Sequence, residues 1–169
     1  MTLRSALSTA LLTLTAAIAG CDLLGGPTYT LSSGTYAVSS ATLASANDQC
    51  GLLSAYTDPA KKIGITVSGT TATFNLANDP TAPANSLPTA TINANAIELL
   101  AEANYTVSFG TTCVVRIHRD VVGDITANDA AALTLTFSVA TESGSCSTGT
   151  SFAAVPCSSA YHFLVTRQP

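Results

Sequence analysis

The side chains in this 169-residue chain best suited to chemistry are its cysteines, its two histidines and one cluster of acidic residues. Cys50, Cys113, Cys146 and Cys157 lie in the body of the chain, with no C-x₂-C pair of the kind a zinc site uses. An even number of cysteines in an exported domain reads as two disulfides, and four cysteines allow three pairings. The expected pairing is a local clasp, Cys146 with Cys157, over a Ser/Gly/Thr loop, and a long bridge, Cys50 with Cys113. His118 and His162 would bind a metal, or move protons with Asp120, only if the fold made their strands neighbours. The simpler reading is two separate surface histidines.

The stretch R-D-V-V-G-D-I-T-A-N-D crowds Asp120, Asp124, Asn128 and Asp129 together. A calcium loop of the EF-hand type wants oxygen ligands at its odd early positions, Gly at 6 and a carboxylate at 12. Counted from Asp120, the third, sixth and twelfth positions fall on Val122, Ile125 and Ala131, so the motif fails. Gly, Asn and Asp favour turns, and the expectation is a polar connection between two strands. No G-x-S-x-G elbow and no phosphate-cradling Gly-rich loop is present. No catalytic constellation can be assembled, and no metal or cofactor is expected.

Cys21 stands apart from the other four. No charged side chain lies between Arg4 and Asp22, and the apolar stretch between them ends in small residues, the layout of a secretory signal peptide. A membrane-spanning helix needs roughly 20 predominantly apolar residues, and Ser8, Thr9, Thr13 and Thr15 interrupt this shorter run. Ile18-Ala19-Gly20-Cys21 resembles the lipobox of bacterial lipoproteins. The resemblance implies a diacylglycerol on the Cys21 sulfur, cleavage after Gly20, and often acylation of the new amino group. One acyl chain holds a protein only marginally, whereas two or three make a stable anchor. The expected place is therefore the cell envelope, lipid-anchored on the exported side. Asp22 resembles an inner-membrane retention signal of enteric bacteria, and the leaflet stays open.

Residues 1–20 are thus read as leader, 21–28 as lipidated cysteine and short Gly/Pro tether, and 29–169 as one domain. Roughly 149 residues is enough for a real core. Charged residues make up 9% of the chain, against about 25% in typical soluble proteins. With a formal net charge of −4 there is no basic stripe for phosphates, which argues against a nucleic-acid partner.

The elements that must position these residues are strands. Gly34 to Leu43 alternates loosely, with Tyr36 and Val38 on one face. In K-K-I-G-I-T-V-S-G-T-T-A-T-F-N-L, period-two alternation on both sides of Ser68-Gly69 predicts a β-hairpin. Asn78 to Pro88 is turn-rich, and its prolines exclude helix and central strand. Ala90 to Glu102 fits helix or strand, and the neighbours favour strand. Further strands are predicted around Tyr105, Val107 and Phe109; Cys113, Val115 and Ile117; Leu133 to Val139; and Tyr161 to Thr166.

Some eight short strands predict an all-β, antiparallel domain braced by two disulfides. The expected architecture is a meander curled into a barrel or half-barrel, with a Greek-key sandwich as the alternative. The order resembles lipocalins in layout only, since the chain has no Trp and so lacks their Gly-x-Trp signature. Tyr36, Phe74, Tyr105, Phe109, Phe137, Tyr161 and Phe163 fall mostly on the buried faces and read as core. In a barrel wide enough to leave a cavity they would line an apolar pocket. Two functions follow: a non-catalytic envelope or surface interaction module meeting other envelope proteins, or a binder of a small apolar ligand inside a barrel.

Overall fold

The computed structural model describes residues 26–77, 83–146 and 150–169. The leader, the lipobox with Cys21, most of the tether and part of the Pro-rich stretch lie outside them. Nine antiparallel strands form one sheet: β1 (Gly34–Leu43), β2 (Lys62–Ser68), β3 (Thr71–Asn75), β4 (Thr89–Asn93), β5 (Ala96–Ala101), β6 (Ala103–Phe109), β7 (Cys113–Ala127), β8 (Ala130–Gly144) and β9 (Cys157–Arg167). Strands adjacent in the chain pair with one another except β5 and β6, β9 returns to β1, and β5 meets β7. Eight strands therefore close into a ring, with β6 beside it. This is an up-and-down barrel rather than the Greek-key alternative: every connection but β5–β6 leads to the adjoining strand, and β5 and β6 follow one another along the same edge of β7.

The alternation seen in the sequence decides which side faces in. Along β8, Leu133, Leu135, Phe137 and Val139 are buried, while the threonines and serine between them face outward. Tyr161, Phe163 and Val165 of β9 and Ile63 and Ile65 of β2 do the same. The filled half of the interior is a contiguous apolar cluster, and burying it supplies the driving force for closure.

Closure is incomplete along one seam. β5 pairs with β7 only at Ala96↔Asp124 and Ile97↔Gly123. The chain then bends at Glu102, and β6 runs on along the same edge of β7, from Ala103↔Arg119 to Phe109↔Cys113. Gly123 sits where three strands meet, and a Cβ there would collide with the backbone carbonyl oxygen of Ala132. The other edge of β6 pairs with no strand among the described residues and packs beside a 3₁₀ turn at Ala84–Ser86.

Three expectations are corrected. The acidic stretch after His118 is not a connection: β7 continues through it to Ala127, and only Asn128-Asp129 turns. Val121 and Ile125 keep the inward alternation, but Arg119 at the inward position between Ile117 and Val121 disguised it. Ala90 to Glu102 is not one strand but a β4–β5 hairpin turning at Ala94-Asn95, where Ala94 takes a φ of 52°. The disulfides are Cys50–Cys157 and Cys113–Cys146, not Cys50–Cys113 and Cys146–Cys157. Nearness in sequence gives way to nearness of strand ends. Cys113 opens β7 beside the end of β8, where it pairs with Gly144, two residues before Cys146. Cys157 opens β9, against the loop that carries Cys50.

The two ends of the barrel differ in length of connection. At one end lie the tight turns after β2, β4 and β7, crossed by a strap of residues 27–33. Tyr29 and Thr30 donate backbone N–H bonds to Asn95 and Asn128, and Ser32 donates one to Asp129. At the other end lie the long connections 44–61, 76–88 and 145–156, a one-turn helix α1 (Leu53–Tyr56), and both disulfides.

Candidate functional site

The open end holds a cavity of about 350 Å³. Its floor and one wall are inward side chains of the β6–β7–β8 sheet: Tyr105, Val107 and Phe109, then Ile117 and Arg119, then Phe137. These are consecutive inward positions, so the alternation that builds a core also builds this wall. The three on β6 stay partly uncovered because β6 lies outside the ring, with no strand facing it across the seam among the described residues. Leu52, Ala55 and Tyr56 from the α1 region close one side, and Phe152 closes another. Phe152 packs against Phe109 and Phe137, with centroid distances of 5.9 and 5.8 Å. Tyr56 packs against Phe163 at 4.8 Å.

The rim is braced. Cys50–Cys157 ties the α1 loop to β9, and the Ala153 N–H donates to the Cys50 carbonyl at 3.1 Å, joining the two rim loops. Asp48 fastens the same loop: it accepts backbone N–H bonds from Gly51, Leu52 and Leu53 and the Tyr161 hydroxyl at 2.6 Å. Burial opposes the charge on Asp48, but these donors outweigh it and hold its pKa below the usual value. Burial and the bond to Asp48 push the Tyr161 phenol up to about 12.

Two cations line the cavity, Lys61 and Arg119, and among the described residues no carboxylate does. Arg119 projects from an inward position of β7. Its guanidinium carbon lies 5.2 Å from the ring centroids of both Tyr105 and Phe137, within the range of cation–π attraction. Its Nε is buried with no hydrogen-bond partner among the described residues. The Lys61 ammonium lies 5.3 Å from the Tyr56 centroid. Burial lowers the Lys61 pKa, and the Arg119 charge lowers it further. A second space of about 200 Å³ opens on the other side of Tyr105 and Arg119, toward Ser86 and Leu87.

Tyr36, Phe74, Tyr161 and Phe163 are filled core. Phe137 is buried and also faces the cavity, while Tyr105 and Phe109 are half-buried on its wall. His118 and His162 are not brought together. His118 pairs with Ser138 and His162 with Thr134, about 10 Å apart across two strand spacings and about 13 Å apart along the strands. On the outer face His118 instead lies 3.5 Å from Glu102 and 3.7 Å from Asp120. The side chains of Asn128 and Asp129 are engaged by the strap, and Asp129 also meets Arg167 at 3.5 Å. Among the described residues, no three His, Cys, Asp or Glu side chains are grouped to hold a metal.

Arg119 was the residue that sequence reasoning missed. The signal was present: counting by twos from Cys113 lands on it before Val121, a charge at a core position.

No family model, curated protein or solved structure matches the chain.

Proposed function

We propose that this chain is an envelope lipoprotein, anchored through Cys21, whose barrel binds a small, largely apolar molecule in the open end. The observation that carries the binding reading over an interaction module is the aromatic-walled cavity of about 350 Å³, a size at the lower end of small-molecule pockets. Its floor and one wall are largely apolar side chains on paired strands, and its rim is held by a disulfide, which supports a space that needs no ligand to prop it open.

The anchor reading rests on the lipobox and fits the placement of the strap. Residues 27–33 cross the closed end, so a lipid on Cys21 would put that end toward the bilayer and the mouth away from it. Labelled fatty acid entering the wild-type chain but not a Cys21→Ser variant is the expected result; equal labelling of both would remove the anchor.

Binding is tested with an apolar fluorophore that brightens on leaving water. The wild-type chain brightens it saturably, and Val107→Trp, which fills the cavity from a half-buried wall position, reduces that at least tenfold with the fold retained by circular dichroism. A wild type that leaves the fluorophore dark, or a Val107→Trp chain that binds it equally, would refute the reading.

A further inference from the structure

We infer that the ligand of this cavity is an anionic amphiphile, a single apolar chain with a carboxylate head received by Arg119 and Lys61. The inference rests on the binding reading above and adds the charge of the head group.

The contrast among the arginines carries it. On the outer face, Arg116 meets Glu142 at 2.6 Å and Arg167 meets Asp129 at 3.5 Å. Arg119, the one that points inward, has no carboxylate within salt-bridge distance among the described residues. Arginine retains its charge at any ordinary pH, and a charge turned into an apolar barrel without a counter-ion is costly. The rings of Tyr105 and Phe137 attract its planar face, but a ring offers nothing to the in-plane N–H donors, and Nε has no acceptor. Those donors suit a carboxylate, whose two oxygens match the guanidinium fork.

Lys61 adds a second positive charge to the same cavity. Each of the two cations makes the other less comfortable, and an anion between them would relieve both. This happens in a chain whose formal net charge is −4, so the positive site is local to the cavity. The remaining walls, from Val107, Phe109, Ile117 and Phe152, fit a hydrocarbon. Burial raises the Tyr56 and Tyr105 pKa values, so both phenols remain protonated and able to donate.

The test compares dodecanoate with dodecanol by calorimetric titration of the full chain carrying Cys21→Ser, which removes any acyl group of its own. The acid is expected to bind at least tenfold more tightly than the alcohol, since bonds to a charged partner are worth about one to two powers of ten in affinity. Arg119→Met closes that gap while the ligand-free variant melts no lower than wild type, a combination that a merely structural arginine would not give. Lys61→Gln, on the half-exposed side, narrows the gap without touching the interior and serves if Arg119→Met does not fold. Equal affinity for acid and alcohol, or a gap that survives the substitutions, overturns the anionic head and leaves the apolar-binding reading intact. If neither amphiphile binds, the fluorophore separates the cases: a chain that still binds it has lost only the head-group assignment, and a chain that does not has lost the cavity reading as well.

Discussion

At the closed end of the barrel Tyr36 donates to the Ser32 carbonyl at 2.7 Å and lies 3.4 Å from Asp129. At the open end Tyr161 donates to Asp48 at 2.6 Å. Each aspartate also accepts backbone N–H bonds from a segment laid across its end, the strap in one case and the α1 loop in the other. The same chemical device, a buried tyrosine paired with an aspartate that gathers backbone donors, thus has two outcomes. Where connections are two residues long and strands meet all round, the strap seals a filled interior. Where connections are long and β6 leaves the ring, the loop becomes a rim around a space that side chains do not fill. The difference lies in the number of strands available to cover the inward faces rather than in the clasp itself.

Breaking the rim should separate the two ends most sharply. Replacing Cys50 and Cys157 together by Ser is expected to cost about 4 kcal/mol, because the bridge closes a long loop, and to abolish fluorophore binding through loss of the rim. Urea denaturation and a binding titration check the two effects; full binding in the doubly substituted chain would show that the rim needs no brace. Gly123→Ala strikes the seam near the closed end. Its methyl would press on the Ala132 carbonyl, and a loss of about 2 to 3 kcal/mol is expected from overpacking. Hydrogen exchange should then rise first at Ala96 and Ile97, the only β5 residues paired with β7.

The smallest effects are those of pH, and they should be felt at both ends. Asp48 and Asp129 have depressed pKa values, the first despite burial and through its hydrogen bonds, the second through its bonds with Ser32 and the charge of Arg167. Their folded forms therefore favour the carboxylate. Stability from them is fully present above the unfolded pKa of about 4 and falls as pH drops below it. For Tyr36 and Tyr161 the sign reverses: burial, with the nearby aspartates, pushes both up to about 12. Folded-state preference for the neutral phenol is intact below about 10 and is lost as pH rises toward the folded value. Denaturation midpoints across pH should fall at both extremes. Asp129→Asn should flatten the acid limb without changing ligand affinity, whereas Asp48→Asn should flatten it and weaken binding. Equal effects on binding would mean that the ends are coupled.

Much of the fold was legible because period-two alternation reports one buried face directly. Ile63 and Ile65, then Ala72 and Phe74, announced the β2–β3 hairpin, and Leu133 to Val139 announced β8. The Ala90–Glu102 segment was harder, since Leu99 and Leu100 are both exposed, at 40% and 55%. Beyond Ile97 that strand has left the interior and no longer needs an apolar face. The cavity was legible only as a possibility attached to the aromatics. Whether Tyr105 and Phe109 are covered depends on what lies opposite them, which alternation along their own strand does not encode.

Residue types and their spacing alone determined that this chain makes antiparallel strands with one apolar face, that its body cysteines number four, and that Cys21 ends a stretch resembling a lipobox. These are local properties, carried by side-chain period and by short motifs. The tertiary structure decided which cysteines meet, that the ring closes through β5 and β7 while leaving β6 aside, and that Arg119 points inward with no carboxylate beside it among the described residues. Those outcomes depend on which strand ends lie together in space and how many strands surround the interior, and chain order leaves both unspecified until the barrel closes.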